Sequence, residues 1–176
     1  SGISPGFLLG HSFGEIAAFG VAGCFDLATG VRVVCHRVRA IAEHAPPDGG
    51  LLAVFANRAT VVAEAELNGL DQVVVAGRNY DGQTVASGSR GDLMQLREGL
   101  QKINVKSVAI PTPTCFHHPS LRSSALAWLE SLKTLPLKTP TRALYSPIGR
   151  RFIAPHEDIA SLLASQLVRP FDFQGA

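Results

Sequence analysis

Hydrophobic positions change their period several times along the chain, and each change marks an expected element. Residues 7–9 are a short apolar run of the kind that forms a buried strand. The run breaks at Gly10. An alanine- and aliphatic-rich stretch over 15–21 then reads as a helix buried behind a sheet, ended by Gly23. Asp26 is placed to cap a long helix over 27–44. On that helix Leu27, Val31, Val34, Val38 and Ile41 recur at helical spacing and form the expected core stripe, with Arg32, His36, Arg39 and Glu43 on the solvated face. Arg37 joins neither group. Helical rotation puts it on the other border of the stripe beside Val33, Ala40 and Ile41, where a partly buried arginine needs an anionic partner. A structural ion pair or a snorkelling side chain satisfies that need as readily as a functional anion.

Pro46-Pro47-Asp48-Gly49-Gly50 is a linker, and the texture changes after it. Strands are expected at 51–55, 72–76, 84–87 and 105–110, helices at 59–67 and 92–102, and a polar turn at 78–82. The order β-α-β-β-α-β is the ferredoxin-like arrangement, bounded on both sides by Pro/Gly turns. Residues 111–119 are locked by prolines and carry His117 and His118. A helix over 119–132, a loop at 136–140, a strand at 143–146 and a helix over 155–168 follow, with Ile159, Leu162, Leu163 and Leu167 facing inward. Arg169-Pro170-Phe171-Asp172-Phe173 breaks the last helix.

At 176 residues the chain has room for one good-sized domain or a core with a smaller subdomain. Hydrophobic residues at 46% and charged residues at 17% are those of a soluble globular protein, and a net charge of +2 gives no reason to invoke nucleic acid or a membrane. No apolar run is long enough to span a bilayer, and no signal peptide opens the chain. Cys24, Cys35 and Cys115 lack metal-ligand spacing and are expected to be reduced and buried, which points to a cytoplasmic setting. With no initial methionine, the chain is expected to be a piece of something longer.

The chemistry gathers at Gly10-His11-Ser12-Phe13-Gly14. Gly-x-Ser-x-Gly lets a strand turn sharply into a helix with the serine at the apex, the glycines avoiding collisions with strand and helix. Ser12 would sit above a helix N-terminus, whose free N–H groups can stabilise an oxyanion. A plain turn is the alternative. A serine so placed needs a base, and His117 or His118 is the candidate, because imidazole can take the hydroxyl proton and return it. His-His-Pro lacks a third ligand at useful spacing, so no metal site is expected.

Gly10-His11-Ser12-Phe13-Gly14-Glu15, Arg37, and Phe116-His117 ahead of a proline together resemble the acyltransferase family: the malonyl-CoA:acyl-carrier-protein transacylases and the acyltransferase domains of polyketide and fatty acid synthases. Asn79, Gln83, Ser87 and Gly88, and then Ser165-Gln166-Leu167-Val168-Arg169-Pro170, extend the likeness through nearly the whole chain. The resemblance implies an α/β fold: a hydrolase-like core with a parallel sheet at 1–47 and 111–176, and an inserted ferredoxin-like small subdomain at 48–110. It implies Ser12 as nucleophile, His117 rather than His118 as general base, and Arg37 as clamp for a substrate carboxylate. Gln166 would orient the histidine through its backbone carbonyl, Phe13 would give an oxyanion N–H, and His11 and Asn79 would line the pocket. Phe116 before the histidine favours malonyl over methylmalonyl, by crowding an α-methyl. Thr114-Cys115 departs from the His-Ala or Tyr-Ala common there.

The activity implied is transfer of a malonyl group from coenzyme A to the phosphopantetheine thiol of an acyl carrier protein, with no bound cofactor. The carrier, the CoA thioester and neighbouring synthase domains in the same polypeptide are the implied partners. The family's N-terminal glycine- and glutamine-rich motif and the region after Pro-Phe-Asp-Phe are not in the sequence. Two other readings share some features. A serine hydrolase or thioesterase of α/β-hydrolase type shares the elbow but gives no reason for Arg37, and a non-catalytic module would only dock a carrier protein.

Overall fold

In chain order, β1 (Leu8–Leu9) leads into α1 (Gly14–Val21) and the long α2 (Leu27–His44). There follow β2 (Gly50–Val54), α3 (Arg58–Leu67), β3 (Val74–Tyr80), β4 (Gln83–Gly88), α4 (Arg90–Lys102) and β5 (Ser107–Ile110). The last part holds α5 (Arg122–Leu132), β6 (Leu144–Ser146), β7 (Arg151–Phe152), α6 (Ile159–Ser165) and β8 (Phe171–Asp172). These come from a computed structural model that describes residues 5–176; the first four residues of the expected 1–47 segment lie outside it.

The fold is α/β, with two sheets among the described residues. In the smaller, β1 runs parallel to β6, Leu8 opposite Leu144, and β7 pairs antiparallel on the far side of β6. In the larger the order is β5-β2-β4-β3-β8. Its first four strands are antiparallel and come from the β-α-β-β-α-β stretch; β8 adds to β3 in parallel. One core lies among α1, α2, α5, α6 and β6, around Phe19, Val33, Trp128, Leu144 and Leu163. A second lies between α3, α4 and the larger sheet, around Leu52, Val54, Leu96 and Leu100. A third, of Ala76, Val85, Ile148 and Phe171, joins the larger sheet to the segments after β6 and α6.

Several expectations are corrected. The boundaries of α2 and its Asp26 cap, which accepts the Thr29 N–H at 2.8 Å, are as anticipated, but the buried face is not the apolar stripe. Thr29, Val33, Arg37 and Ala40 are buried, whereas Leu27 is 86% exposed and Val31 and Val38 are also out. Packing on α5 decides this: Trp128, wholly buried, donates its indole N–H to the Val33 carbonyl at 3.1 Å. Val34 and Ile41 of the stripe are half-buried against the core, and Leu27, Val31 and Val34 border an open apolar groove of about 590 Å³ with Phe13, Ala17 and Val21. Phe7 is exposed and Leu8 and Leu9 only half-buried, so the first strand is less enclosed than its sequence implied. Of the cysteines, Cys24 and Cys115 are buried but Cys35 is exposed, since it shares the outward side of α2.

The expected turn at 78–82 narrows to Asp81 and Gly82, because Arg78, Asn79 and Tyr80 belong to β3. Register shifts between Val75 and Gly77 and between Arg78 and Tyr80 break the alternation that marks a strand. Arg78 is held there by an ion pair to the buried Asp172 of β8 at 2.5 Å. Helix α6 begins later than expected because the Asp158 carboxylate accepts the Ala160 and Ser161 N–H groups and so caps it. It ends sooner, at Ser165, after which the backbone turns through three-residue hydrogen bonds. The 119–132 helix starts as a 3-10 turn at Pro119–Leu121. Among the described residues no helix is long and apolar enough to cross a membrane.

Candidate active site

The turn from β1 to α1 is as sharp as the sequence implied. Ser12 has φ +51°, a left-handed conformation that a serine adopts only when its surroundings hold it there. The chain closes at once: the Gly14 N–H donates to the His11 carbonyl and the Glu15 N–H to the Ser12 carbonyl, both at 2.9 Å. The two glycines of the motif are not equivalent. A Cβ on Gly10 would collide with the Gly14 carbonyl and the Glu15 amide, while one on Gly14 meets open space. Gly10→Ala is therefore expected to lower the thermal midpoint by about 10 °C, and Gly14→Ala to leave it nearly unchanged. Equal melting of the two variants would sink the steric argument.

Ser12 Oγ lies 2.7 Å from His117 Nε2. His117 also has a positive φ, +59°, so both groups are presented from strained backbone. Its Nδ1 faces the Arg169 carbonyl at 3.0 Å. A carbonyl accepts only, so Nδ1 carries the proton and Nε2 is the acceptor for the serine hydroxyl. This corrects the expectation for Gln166, whose carbonyl acts more weakly on the same ring. Gln166 instead uses its fully buried side chain, giving an Nε2–H to the Ser12 carbonyl at 2.9 Å. Burial pushes His117 down to about 4, with the charges of Arg37 and His11 acting the same way against the Arg169 and Gln166 carbonyls. At neutral pH the imidazole is neutral and can accept a proton.

His118 points elsewhere. Its Nε2 meets the Gln72 carbonyl at 2.9 Å and its Nδ1 the Ser120 hydroxyl at 2.8 Å, which makes it a tie between the loop and the turn that leads into β3. Cys115 is packed beneath, 3.2 Å from the same hydroxyl.

Arg37, 7% exposed, forms no ion pair among the described residues. Its guanidinium carbon lies 5.2 Å from the Phe13 ring centroid, 5.0 Å from Phe116 and 5.8 Å from Trp128, and its Nε has no hydrogen-bond partner. Burial lowers its pKa to about 10, so it remains a cation. Aromatic faces return about 0.5–2 kcal/mol each to such a charge, which offsets part of the several kcal/mol of its desolvation. The cation lies close enough to the serine–histidine pair for its charge to act on His117.

His11 and Asn79 meet at 2.7 Å, and Asn79 donates on to Gln83 at 2.6 Å, so the larger sheet reaches the rim of the site. The His11 ring stands edge-on to Phe171 at 4.6 Å and to Phe173 at 5.1 Å. Sequence reasoning missed Arg169, Trp128, Phe171 and Phe173 as parts of this arrangement. Phe171 and Phe173 alternate at strand spacing after a proline, the one local signal available. No group of three potential metal ligands occurs among the described residues.

Comparison with known proteins agrees with this geometry. A family model described as "Acyl transferase domain" matches residues 1–175. The chain is 32% identical over 149 residues to the non-reducing polyketide synthase adaA of Aspergillus niger, covering 82% of this chain and 8% of that protein. It is 32% identical over 177 residues to 5-methyl-1-naphthoate synthase of Streptomyces sahachiroi, covering 99% of this chain and 10% of that one. Among solved structures it superposes on a malonyl CoA-acyl carrier protein transacylase from Burkholderia pseudomallei with a TM-score of 0.91 and 27% identity, over 98% of this chain and 59% of that one. The acyltransferase domain of an iterative polyketide synthase in enediyne biosynthesis gives 0.87 and 28%, over 99% and 46%. The chain thus spans a tenth or less of these two synthases and about half of these two solved chains.

Proposed function

The chain belongs to the acyl transferase domain family, and from that premise we propose that it moves a malonyl group from coenzyme A to the phosphopantetheine thiol of an acyl carrier protein. As Ser12 Oγ attacks the thioester carbonyl, its proton passes to His117 Nε2. The tetrahedral oxyanion is stabilised by the Phe13 N–H at the start of α1. The C–S bond then breaks, coenzyme A leaves with the proton from His117, and an acyl-Ser12 ester remains. The carrier thiol gives its proton to His117 and attacks the ester, and the proton returns to Ser12 as the acyl group departs.

Arg37 binds the free carboxylate of the malonyl group, and a bidentate pair fixes both charge and direction. Phe116, stacked on that guanidinium, crowds an α-methyl and favours malonyl over methylmalonyl. His11 and Asn79 border the acyl pocket. Residues 48–110 serve as a small subdomain that closes one side of the site. Further synthase domains in the same polypeptide and a cytoplasmic setting follow from the same kinship.

One observation carries this reading: a buried arginine without an anion stands beside a hydrogen-bonded serine–histidine pair. It favours a carboxyacyl substrate over an uncharged acyl group, which gives a buried cation nothing to bind. Incubation with malonyl-CoA should leave a malonyl ester on Ser12 that survives in water and passes to a carrier protein. Rapid release of free malonate with no transfer would overturn the proposal. Loading should also rise through about pH 4 as the His117 imidazolium loses its proton, and be flat with respect to this group above about pH 5.5. A half-rise at 6.5, the ordinary histidine value, would show that burial does not hold His117 down.

A further inference from the structure

Behind the elbow stand three buried polar side chains that take no part in the proton transfers. Glu15 and Ser146 are each 2% exposed, and Gln166 is fully enclosed. They form a row. The Gly149 N–H donates to Ser146 Oγ at 2.9 Å, and the Ser146 hydroxyl donates to the Glu15 carboxyl. From the other side the Gln166 side chain lies near enough to the same carboxyl to stabilise its charge, and it gives an N–H to the Ser12 carbonyl at 2.9 Å. Gln166 Oε1 has no partner, so only its donor side holds this amide in place. Its one hydrogen bond goes to the Ser12 carbonyl, and without the Glu15 carboxyl beside it the amide would be free to turn about that bond.

The row ends on a particular peptide unit. The Ser12 carbonyl, gripped by Gln166 and by the Glu15 backbone N–H, belongs to the same planar group as the Phe13 N–H. In a trans peptide the two point in opposite directions, so holding the carbonyl aims the N–H. Two hydrogen bonds on the carbonyl also polarise the group and strengthen its donor end. We propose that Glu15 is a positioning residue: through Gln166 it locks the Ser12–Phe13 peptide so that the Phe13 N–H faces the developing oxyanion. This rests on the reading of Ser12 as nucleophile and of Phe13 as oxyanion donor. Burial pushes the Glu15 carboxyl up to about 7, against its bonds to Ser146 and Gln166, so an uncharged side chain suits the slot and glutamine is its conservative replacement.

The test uses the full chain and two readouts: the rate at which a fluorophosphonate labels Ser12, and loading from malonyl-CoA. Glu15→Ala is expected to slow labelling about 10- to 100-fold, the size of a small misplacement of a reacting group. In loading it should lower kcat with KM unchanged, since Arg37 is untouched. Glu15→Gln, which keeps an acceptor for Gln166 and Ser146, should restore labelling to within about threefold of wild type. Gln166→Leu should show the same fall, and serves if Glu15→Ala does not fold. Wild-type labelling rates in a folded Glu15→Ala or Gln166→Leu, or a Glu15→Gln as slow as the alanine variant, would overturn the inference. A wild-type chain that is labelled on Ser12 but never loads malonyl would defeat the acyl-donor reading and leave the variant comparison intact.

Discussion

Replacing Ser12 by alanine is expected to reduce malonyl loading by about 10⁴-fold or more, the scale seen when a serine nucleophile is removed from a working serine–histidine pair. The geometry makes the loss severe. The hydroxyl sits 2.7 Å from His117 Nε2, and among the described residues no other hydroxyl or thiol takes that position: Ser120 is tied to His118 and Cys115 to Ser120. Alanine fits the elbow about as well as serine does, since both must accept φ +51° and the Gln166 bond goes to the backbone. The variant should therefore fold, with the circular dichroism and melting of wild type, while the intact-mass spectrum after malonyl-CoA shows no adduct. An adduct of normal yield would place the nucleophile elsewhere.

Arg37 is the second large effect, and there stability and function are expected to move in opposite directions. Removing the guanidinium deletes two charge-assisted hydrogen bonds to the malonyl carboxylate, each worth about 1.5–3 kcal/mol. Arg37→Met should thus lower loading from malonyl-CoA by about 10²- to 10³-fold while leaving acetyl-CoA nearly untouched, so the preference between them collapses. The same change removes a buried cation that has no ionic partner in the free protein. Apolar replacement of a buried ionic group is commonly neutral or stabilising by about 1–4 kcal/mol, and methionine fills the space between Phe13, Phe116 and Trp128. The variant should melt above wild type. A lower melting point together with unchanged acyl preference would mean that Arg37 is a structural residue.

Where the chain's own local rules decide, the sequence was readable. Asp26, with a helix-forming run behind it, defines α2 to the residue. The abrupt change from strand to helix across Gly10 marks the elbow. Arg37 stood out because a cation on the edge of an apolar face is unusual, and its burial bears out that oddity. Which face of α2 points inward was not readable. Helical spacing finds an apolar stripe, but Trp128, nearly a hundred positions away, chooses the face, and it chose the one with Val33 and Arg37. Strands β7 and β8 were hidden for another reason: two residues cannot display an alternation, and each exists through the neighbour it pairs with. The carbonyl that orients His117 was missed because a backbone group carries no side-chain signal, and Gln166, three residues earlier, drew attention to itself.

The stretch from Gln166 to Phe171 works as a buckle. Its first residue grips the backbone of Ser12, its fourth fixes the ring of His117, and its last pairs with Gly77 and packs on His11. Three fastenings within six residues leave no slack. These contacts constrain the length of the stretch more tightly than the side chains between them. One inserted or deleted residue would unhook Ser12, His117 and the larger sheet together, while loops that touch none of the three are free of that constraint.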